Sequence, residues 1–292
     1  MDLSGIFPPI CTPFLADGEF SPHKLRANVE KWSATGIAGF CATGSTGEAK
    51  FLDHGEKLKL WKALREATDM PLIAGASAEA VRESITLVNE VAEIGYGAAL
   101  VLTPHYYKGA MQRPDIQMNY FRTVADSAKI PVIIYNFPQN TGVDLAVETV
   151  VELAGHPNII GIKESSGSVE KVGRMVTETP AGFQVMSGSV TTLYASFCAG
   201  IVGAILAFAN PAARACVAVH DAYKKGDHLA ALAAQRKIAK AGALIGSKYG
   251  IAGLKHAMDL NGYYGGPLRL PLLPLNPQMR AEIEELFAEI NG

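Results

Sequence analysis

Midway along the chain, Asn158-Ile159-Ile160-Gly161-Ile162-Lys163-Glu164-Ser165-Ser166 runs through apolar residues and stops on a lysine. A short β-branched run between polar residues predicts a strand buried on both faces. An ammonium at the end of such a strand is partly desolvated, which lowers its pKa, and a neutral amine adds to a carbonyl to form a Schiff base. Three other groups could serve the same chemistry. In Gly44-Ser45-Thr46-Gly47 two hydroxyl residues sit between glycines, and such a turn can aim backbone N–H groups at an anion. Tyr106 and Tyr135 are phenols able to move a proton. Each feature alone has an ordinary explanation: a lysine reaching water, a common Gly/Ser turn, half-buried tyrosines with wet hydroxyls. Taken together they suit carbonyl chemistry on a small 2-oxo acid, provided the fold brings them to one place.

The elements that would do so are legible. Eight apolar runs alternate with helical patterns: Gly5–Ile10, Gly39–Ala42, Pro71–Ala74, Ala98–Leu102, Pro131–Tyr135, Ile159–Lys163, Phe183–Ser187 and Ile201–Leu206. Ser21-Pro22 reads as a cap and first-turn proline ahead of the stripe Leu25, Val29, Trp32. Asp53 and Glu56 have capping-box spacing ahead of Leu58, Trp61 and Leu64. Val81, Ile85, Val88 and Ala92 repeat the stripe, Pro114 starts a fourth helix, and Asp144 is placed to cap a fifth. Eight strand–helix units predict a (β/α)8 TIM barrel. A doubly wound sheet would need a glycine-rich phosphate turn after the first strand, where Ile10-Cys11-Thr12-Pro13 stands instead. Residues 1–210 are expected to hold the barrel core. Residues 211–292 should add its last helix and a C-terminal helical extension, all as one structural unit. Pro271-Leu272-Leu273-Pro274 is too apolar for a flexible linker, and Met279, Ile283 and Leu286 mark a final amphipathic helix.

Composition narrows the function. The chain has 292 residues, 49% hydrophobic and 18% charged, with a net charge of -2. That balance offers nucleic acid or an anionic membrane no attraction, and no apolar run is long enough for a membrane span. Four dispersed cysteines without a CxxC pair and scattered histidines give no disulfide framework and no metal site, so a reducing, cytoplasmic setting is expected.

In a (β/α)8 barrel the reacting groups lie at the carboxyl ends of the strands. One mouth would then collect Thr43–Glu48, Thr103–Lys108, Tyr135–Pro138 with Gln139–Gly142 behind it, Lys163, Ser187-Gly188-Ser189 and Gly203-Ala204-Ile205. No carboxylate pair suited to glycosidase work is among them.

With these motifs in view, the chain resembles the dihydrodipicolinate synthase / N-acetylneuraminate lyase superfamily of Schiff-base aldolases, nearly end to end. The likeness rests on Gly44-Ser45-Thr46-Gly47-Glu48, Thr103-Pro104-His105-Tyr106-Tyr107, Tyr135-Asn136-Phe137-Pro138, Gly161-Ile162-Lys163-Glu164 and Gly203-Ala204-Ile205. It implies Lys163 as the Schiff-base lysine, Tyr135 as the proton-moving phenol, and Tyr106 completing the relay from a neighbouring subunit of a homotetramer, a dimer of dimers. Ser45 and Thr46 would hold the pyruvate-type carboxylate, and Ile205 would line the pocket with its carbonyl. Dihydrodipicolinate synthases usually carry arginine where this chain has Asn140, and asparagine lacks that charged fork. Lysine-regulated members typically have Tyr at the place of His105 and Asn at that of Glu79. The stretches Pro138–Leu145, Lys163-Glu164-Ser165, Tyr249–Lys255 and Gly262–Pro267 are similar instead to 4-hydroxy-2-oxoglutarate aldolases, in which Ser165 would contact the distal end of the substrate.

The expected reaction is cofactor-free cleavage or formation of a 4-hydroxy-2-oxo acid, such as 4-hydroxy-2-oxoglutarate, through a covalent imine on Lys163. Synthesis of 4-hydroxy-tetrahydrodipicolinate from pyruvate and aspartate semialdehyde, or cleavage of a 2-keto-3-deoxy sugar acid, are the neighbouring alternatives. A barrel that only senses a 2-oxo acid would need no nucleophile, and a pyridoxal phosphate anchor would need a phosphate cup.

Overall fold

The computed structural model describes residues 1–291. Among them eight parallel strands form one sheet: β1 (Gly5–Phe7), β2 (Phe40–Ala42), β3 (Leu72–Gly75), β4 (Ala98–Leu102), β5 (Val132–Asn136), β6 (Ile159–Glu164), β7 (Gln184–Ser187) and β8 (Gly203–Ile205). Neighbours in sequence are neighbours in space from β2 to β8, and β8 pairs with β1. The last seam is a single bridge, Pro9 to Cys41, flanked by hydrogen bonds from Cys41 N–H to Pro8 and from Ile10 N–H to Cys41. Pro8 and Pro9 explain why β1 stops before Ile10: neither has an N–H to give to a ladder. The sheet is therefore a TIM barrel, closed where its first two strands barely touch.

Alternation along the strands separates two cores. Phe7, Cys41, Ile73, Leu100, Ile133, Met186 and Ile205 fill the barrel, while Ile6, Phe40, Ala42, Ile134, Ile162, Val185 and Ala204 meet the surrounding helices. Ser21 and the Asp53–Glu56 capping box start their helices as the spacing predicts. Four local expectations are corrected. The helix Val81–Ile94 fully buries Ser84, Leu87, Val88 and Val91, so of the expected stripe Val88 lies at the centre of the inner face while Val81 and Ile85 pack at its edge. The helix Val147–Ala154 is not capped by Asp144, whose carboxylate is taken by Asn136 and Lys171. The connector holding Leu273 is not ordered by apolar burial: Leu270 and Leu273 are 76% and 71% exposed. It is held instead by Arg269, whose backbone N–H reaches Glu48 at 2.9 Å and whose guanidinium reaches Glu56 at 2.7 Å and the carbonyl of Phe51 at 3.0 Å. In the helix Pro277–Asn291, Ile283, Leu286 and Phe287 are buried, but Met279 stays exposed one turn earlier.

After β8 the chain is helical, with Ala209–Lys224, His228–Ala243 and Gly250–Leu260 preceding that last helix. A single wide turn, Leu244–Lys248, closes with π-type geometry between two of them. No helix among the described residues is long and apolar enough to cross a membrane.

Candidate active site

Lys163 and Tyr135 face each other directly across the β5–β6 pairing. A register break between Val132 and Ile133 leaves Ile160 without a partner and shifts the alternation of β6. Ile159 and Ile162 therefore point to the helices, whereas Lys163 points into the barrel. Its Nζ lies 4.0 Å from the centre of the Tyr135 ring, and the two side chains are 6% and 5% exposed. Phe137 stacks on Tyr135 at 5.7 Å and 16° and fixes the plane of the phenol. Below them Cys41, its thiol pushed up to about 11 by burial despite the pull of Lys163, stays a neutral packing group.

The next residue on each strand points the other way. Asn136 and Glu164 are both buried, and the Asn136 amide donates to Glu164 at 2.8 Å and to Asp144 at 2.7 Å. Lys171 bonds to Asp144 and lies 3.6 Å from Glu164; Ser166 N–H donates to Glu164 at 2.6 Å. This network ties the ends of β5 and β6 to the loops beyond them, and so fixes the spacing of Tyr135 and Lys163. Sequence reasoning did not single it out, although an Asn and a Glu each following an inward residue was the available signal.

Facing them from β2, Ser45–Gly47 forms one 3₁₀ turn. Its closing bonds run from Gly47 to Gly44 and from Glu48 to Ser45, so the N–H groups of Ser45 and Thr46 have no partner in the turn. The turn is held under strain. Thr43 is left-handed at φ 48°, costly for a β-branched residue, with Trp61 donating to its hydroxyl at 2.8 Å and that hydroxyl donating to Gly75 at 2.9 Å. Gly75 is required beside it, since a Cβ there would fall 2.3 Å from the Thr43 carbonyl oxygen. Glu48, also left-handed at φ 56°, pairs at 2.7 Å with Lys255 from the helix Gly250–Leu260, and both side chains are shut off from water. Lys255 further donates to the carbonyl of Pro267 at 2.7 Å. The C-terminal extension thus props the turn from behind. Gly44, Ser45, Gly75 and Tyr135 share a small space of about 50 Å³ with Lys50 and Lys57 at its edge.

On the β7 side lies a larger cavity of about 470 Å³, lined by Asn140, Ser165, Gly188, Ser189 and Thr191, with Gly242, Gly246 and Ser247 of the C-terminal helices opposite. Gly188 N–H donates to the backbone carbonyl of Glu164 at 2.7 Å. A Cβ on Gly188 would fall 1.9 Å from Ser165 Oγ and 3.1 Å from Lys163 Cε, so only glycine leaves the lysine and the serine side by side. The Ser165 hydroxyl is buried without a protein partner. Ile205 lies in the barrel interior with Tyr135 and Met186, beneath the same mouth. The wall formed by Gly242, Gly246 and Ser247 gave no sequence signal.

The structure thus brings together Lys163, Tyr135, Gly44, Ser45, Ser165, Gly188 and Asn140, with Thr46 and Ile205 adjoining. Tyr106 stands apart. It is 77% exposed, makes a T-shaped contact with Tyr107 at 5.1 Å, and its backbone N–H is held by Glu79 at 3.1 Å. Within one chain it has no contact with Lys163 or Tyr135 among the described residues.

Residues 2–290 match the model of the dihydrodipicolinate synthetase family. The chain belongs to that family. It is 34% identical over 290 residues to a 4-hydroxy-tetrahydrodipicolinate synthase of Methanothrix thermoacetophila, covering 98% of this chain and 97% of that one. To a probable mitochondrial 4-hydroxy-2-oxoglutarate aldolase of Emericella nidulans it is 35% identical over 292 residues, covering 98% and 94%. Among solved structures, a chloride-inhibited dihydrodipicolinate synthase of Acinetobacter baumannii complexed with pyruvate superposes with a TM-score of 0.94 at 30% identity, covering 100% and 99%. YagE of E. coli K12, also complexed with pyruvate, gives 0.92 at 28% identity, covering 99% and 98%. As a dihydrodipicolinate synthetase family member the chain is a class I lyase, of the aldolases that form a Schiff base between lysine and pyruvate.

Proposed function

We propose that the protein cleaves, or in reverse forms, a 4-hydroxy-2-oxo acid, releasing pyruvate and an aldehyde through an imine on Lys163. The observation that carries this is the buried Lys163 Nζ lying 4.0 Å from the Tyr135 ring, with Tyr135 sharing a space with a turn whose closing bonds use neither the Ser45 nor the Thr46 N–H. The substrate carboxylate accepts from Ser45 and Thr46. The Lys163 amine adds to the C2 carbonyl, the carbinolamine loses water, and the resulting iminium draws electrons from the C3–C4 bond. Tyr135 takes the proton of the 4-hydroxyl as that bond breaks, leaving the aldehyde and an enamine. The enamine is protonated at C3, and water at C2 releases pyruvate and the free amine. No cofactor is needed. The exposed Tyr106 completes the proton path from a second subunit, which supports the dimer of dimers, and Ile205 presents its carbonyl to the pocket.

The motifs around Asn140 and Ser165 support 4-hydroxy-2-oxoglutarate as the compact member of this substrate class, and the Emericella nidulans relative carries that name. Condensation with aspartate semialdehyde is favoured by the name of the Methanothrix relative, but Asn140 stands where the resemblance expects the arginine that grips that particular substrate. Borohydride reduction in the presence of pyruvate should stop turnover and label Lys163, mapped by peptide mass spectrometry. Loss of activity without label on Lys163 would remove the lysine from the mechanism.

A further inference from the structure

Four glycines line the cavity on the β7 side, and the fold accounts for three of them. Gly167 is left-handed at φ 82°, Gly188 leaves Lys163 and Ser165 side by side, and a Cβ on Gly242 would fall 2.5 Å from Val190 Cγ1. Gly246 has no such reason. Its backbone is not left-handed, and a Cβ built on it meets no atom within 4 Å. Among the described glycines only Gly109 shares that combination, and it lies exposed on the short helix Lys108–Met111. A glycine inside a helical segment loses more backbone freedom on folding than any other residue, so alanine would hold this turn better. What the missing side chain leaves is room. Gly246 sits in the π-type turn Leu244–Lys248, a rare geometry that is frequent at functional sites. The turn is pinned from outside, with Lys248 3.2 Å from Glu282 and the Tyr249 hydroxyl donating to the same carboxylate. The free space at Gly246 is thus a fixed part of the wall facing Asn140 and Ser165.

We propose that Gly246 sets how long an aldehyde half the site accepts. This rests on the aldolase reading above and adds a specificity-determining residue to it. The cavity begins beside Lys163, where Gly188 and Ser165 adjoin the lysine, and is bounded by the π-type turn on its other side. Its 470 Å³ is the share of about fifteen liquid waters, several times what a two-carbon aldehyde displaces. A short fragment held at Ser165 stays clear of Gly246, whereas a fragment of four carbons extends into the space that a side chain there would fill. Because a Cβ at this position starts in open space, a larger residue takes its volume from the cavity and not from the packed core.

The test measures condensation with pyruvate for glyoxylate and succinic semialdehyde, which carry the same terminal carboxylate and so separate length from charge. Borohydride trapping of pyruvate is run in parallel. The wild-type protein should use both aldehydes, with kcat/KM values within about tenfold of each other. Gly246→Leu should lower kcat/KM by about tenfold or more for succinic semialdehyde and by less than about threefold for glyoxylate. Gly246→Ala should shift the same ratio in the same direction by a smaller factor, with a thermal midpoint unchanged or higher, and it decides the matter if the leucine variant does not fold. Trapping at Lys163 without wild-type use of the longer aldehyde, or with equal effects on both aldehydes in the variants, overturns the role of Gly246 and leaves the Schiff-base chemistry standing. Absence of trapping in the wild type overturns both.

Discussion

On the β2 side of Lys163 the site is a tight turn under strain, braced by a buried ion pair and edged by Lys50 and Lys57. On the β7 side it is a wide, neutral space walled partly by glycines and small hydroxyl residues. The first region leaves about 50 Å³ and the second about 470 Å³, so they cannot be asked to do the same work. In the proposed reaction a carboxylate common to every turnover would need fixed N–H donors and a positive surrounding, which rigid backbone supplies without reorganisation. A variable second fragment needs room and adaptable partners. Lys163 and Tyr135 stand on the border between the two.

That border is the place to break first. Lys163→Ala removes the proposed nucleophile, and activity should fall about 10⁴-fold or more with complete loss of borohydride trapping. The brace is next. Lys255→Met leaves the Glu48 carboxylate buried without its countercharge, holding only the Arg269 N–H, an expected loss of about 3–5 kcal/mol by denaturant titration. Glu48→Gln combined with Lys255→Met should recover much of that stability while KM for pyruvate stays raised. If the double variant is as unstable as the single one, the pair is not what holds the turn. Gly188→Ala tests whether the two sides meet where the geometry says: its Cβ must displace Ser165 or Lys163. A drop of about 100-fold in kcat/KM is expected from misplacement on this scale, with little change in thermal midpoint. The smallest effect belongs to the roomy side. Ser165→Ala should leave stability unchanged or slightly higher, because the hydroxyl has no protein partner to lose, yet lower kcat/KM by about tenfold, the worth of one hydrogen bond. Unchanged kinetics there would take Ser165 out of the substrate contacts.

Much of this was legible before any coordinates. The eight runs became eight strands because apolar β-branched periodicity is a local signal, and their order closed into a barrel because parallel βα units have few other ways to bury both faces. Lys163, Tyr135 and the Ser45-Thr46 turn were found because each closes a strand, and strand ends in this fold share one mouth. What stayed hidden depends on contacts distant in sequence. Glu48 and Lys255 are separated by more than 200 residues, and no pattern announces their pairing. Asp144 looked like a helix cap because local spacing allowed it, but Asn136 and Lys171 outbid the helix for its carboxylate. Val81 and Ile85 pack only at the edge of the core, because the neighbouring layer centres on the face carrying Leu87 and Val91.

The sequence by itself determined the candidate chemistry: a lysine ending a buried strand, phenols, and a turn of two hydroxyl residues between glycines, all with signals carried within a few residues. Only the tertiary structure decided the shape and charge of the space around them. A cavity's volume and neutrality are sums over Asn140, Ser165, Gly188 and Ser247, which come from four separate segments, and no one of them carries that information alone.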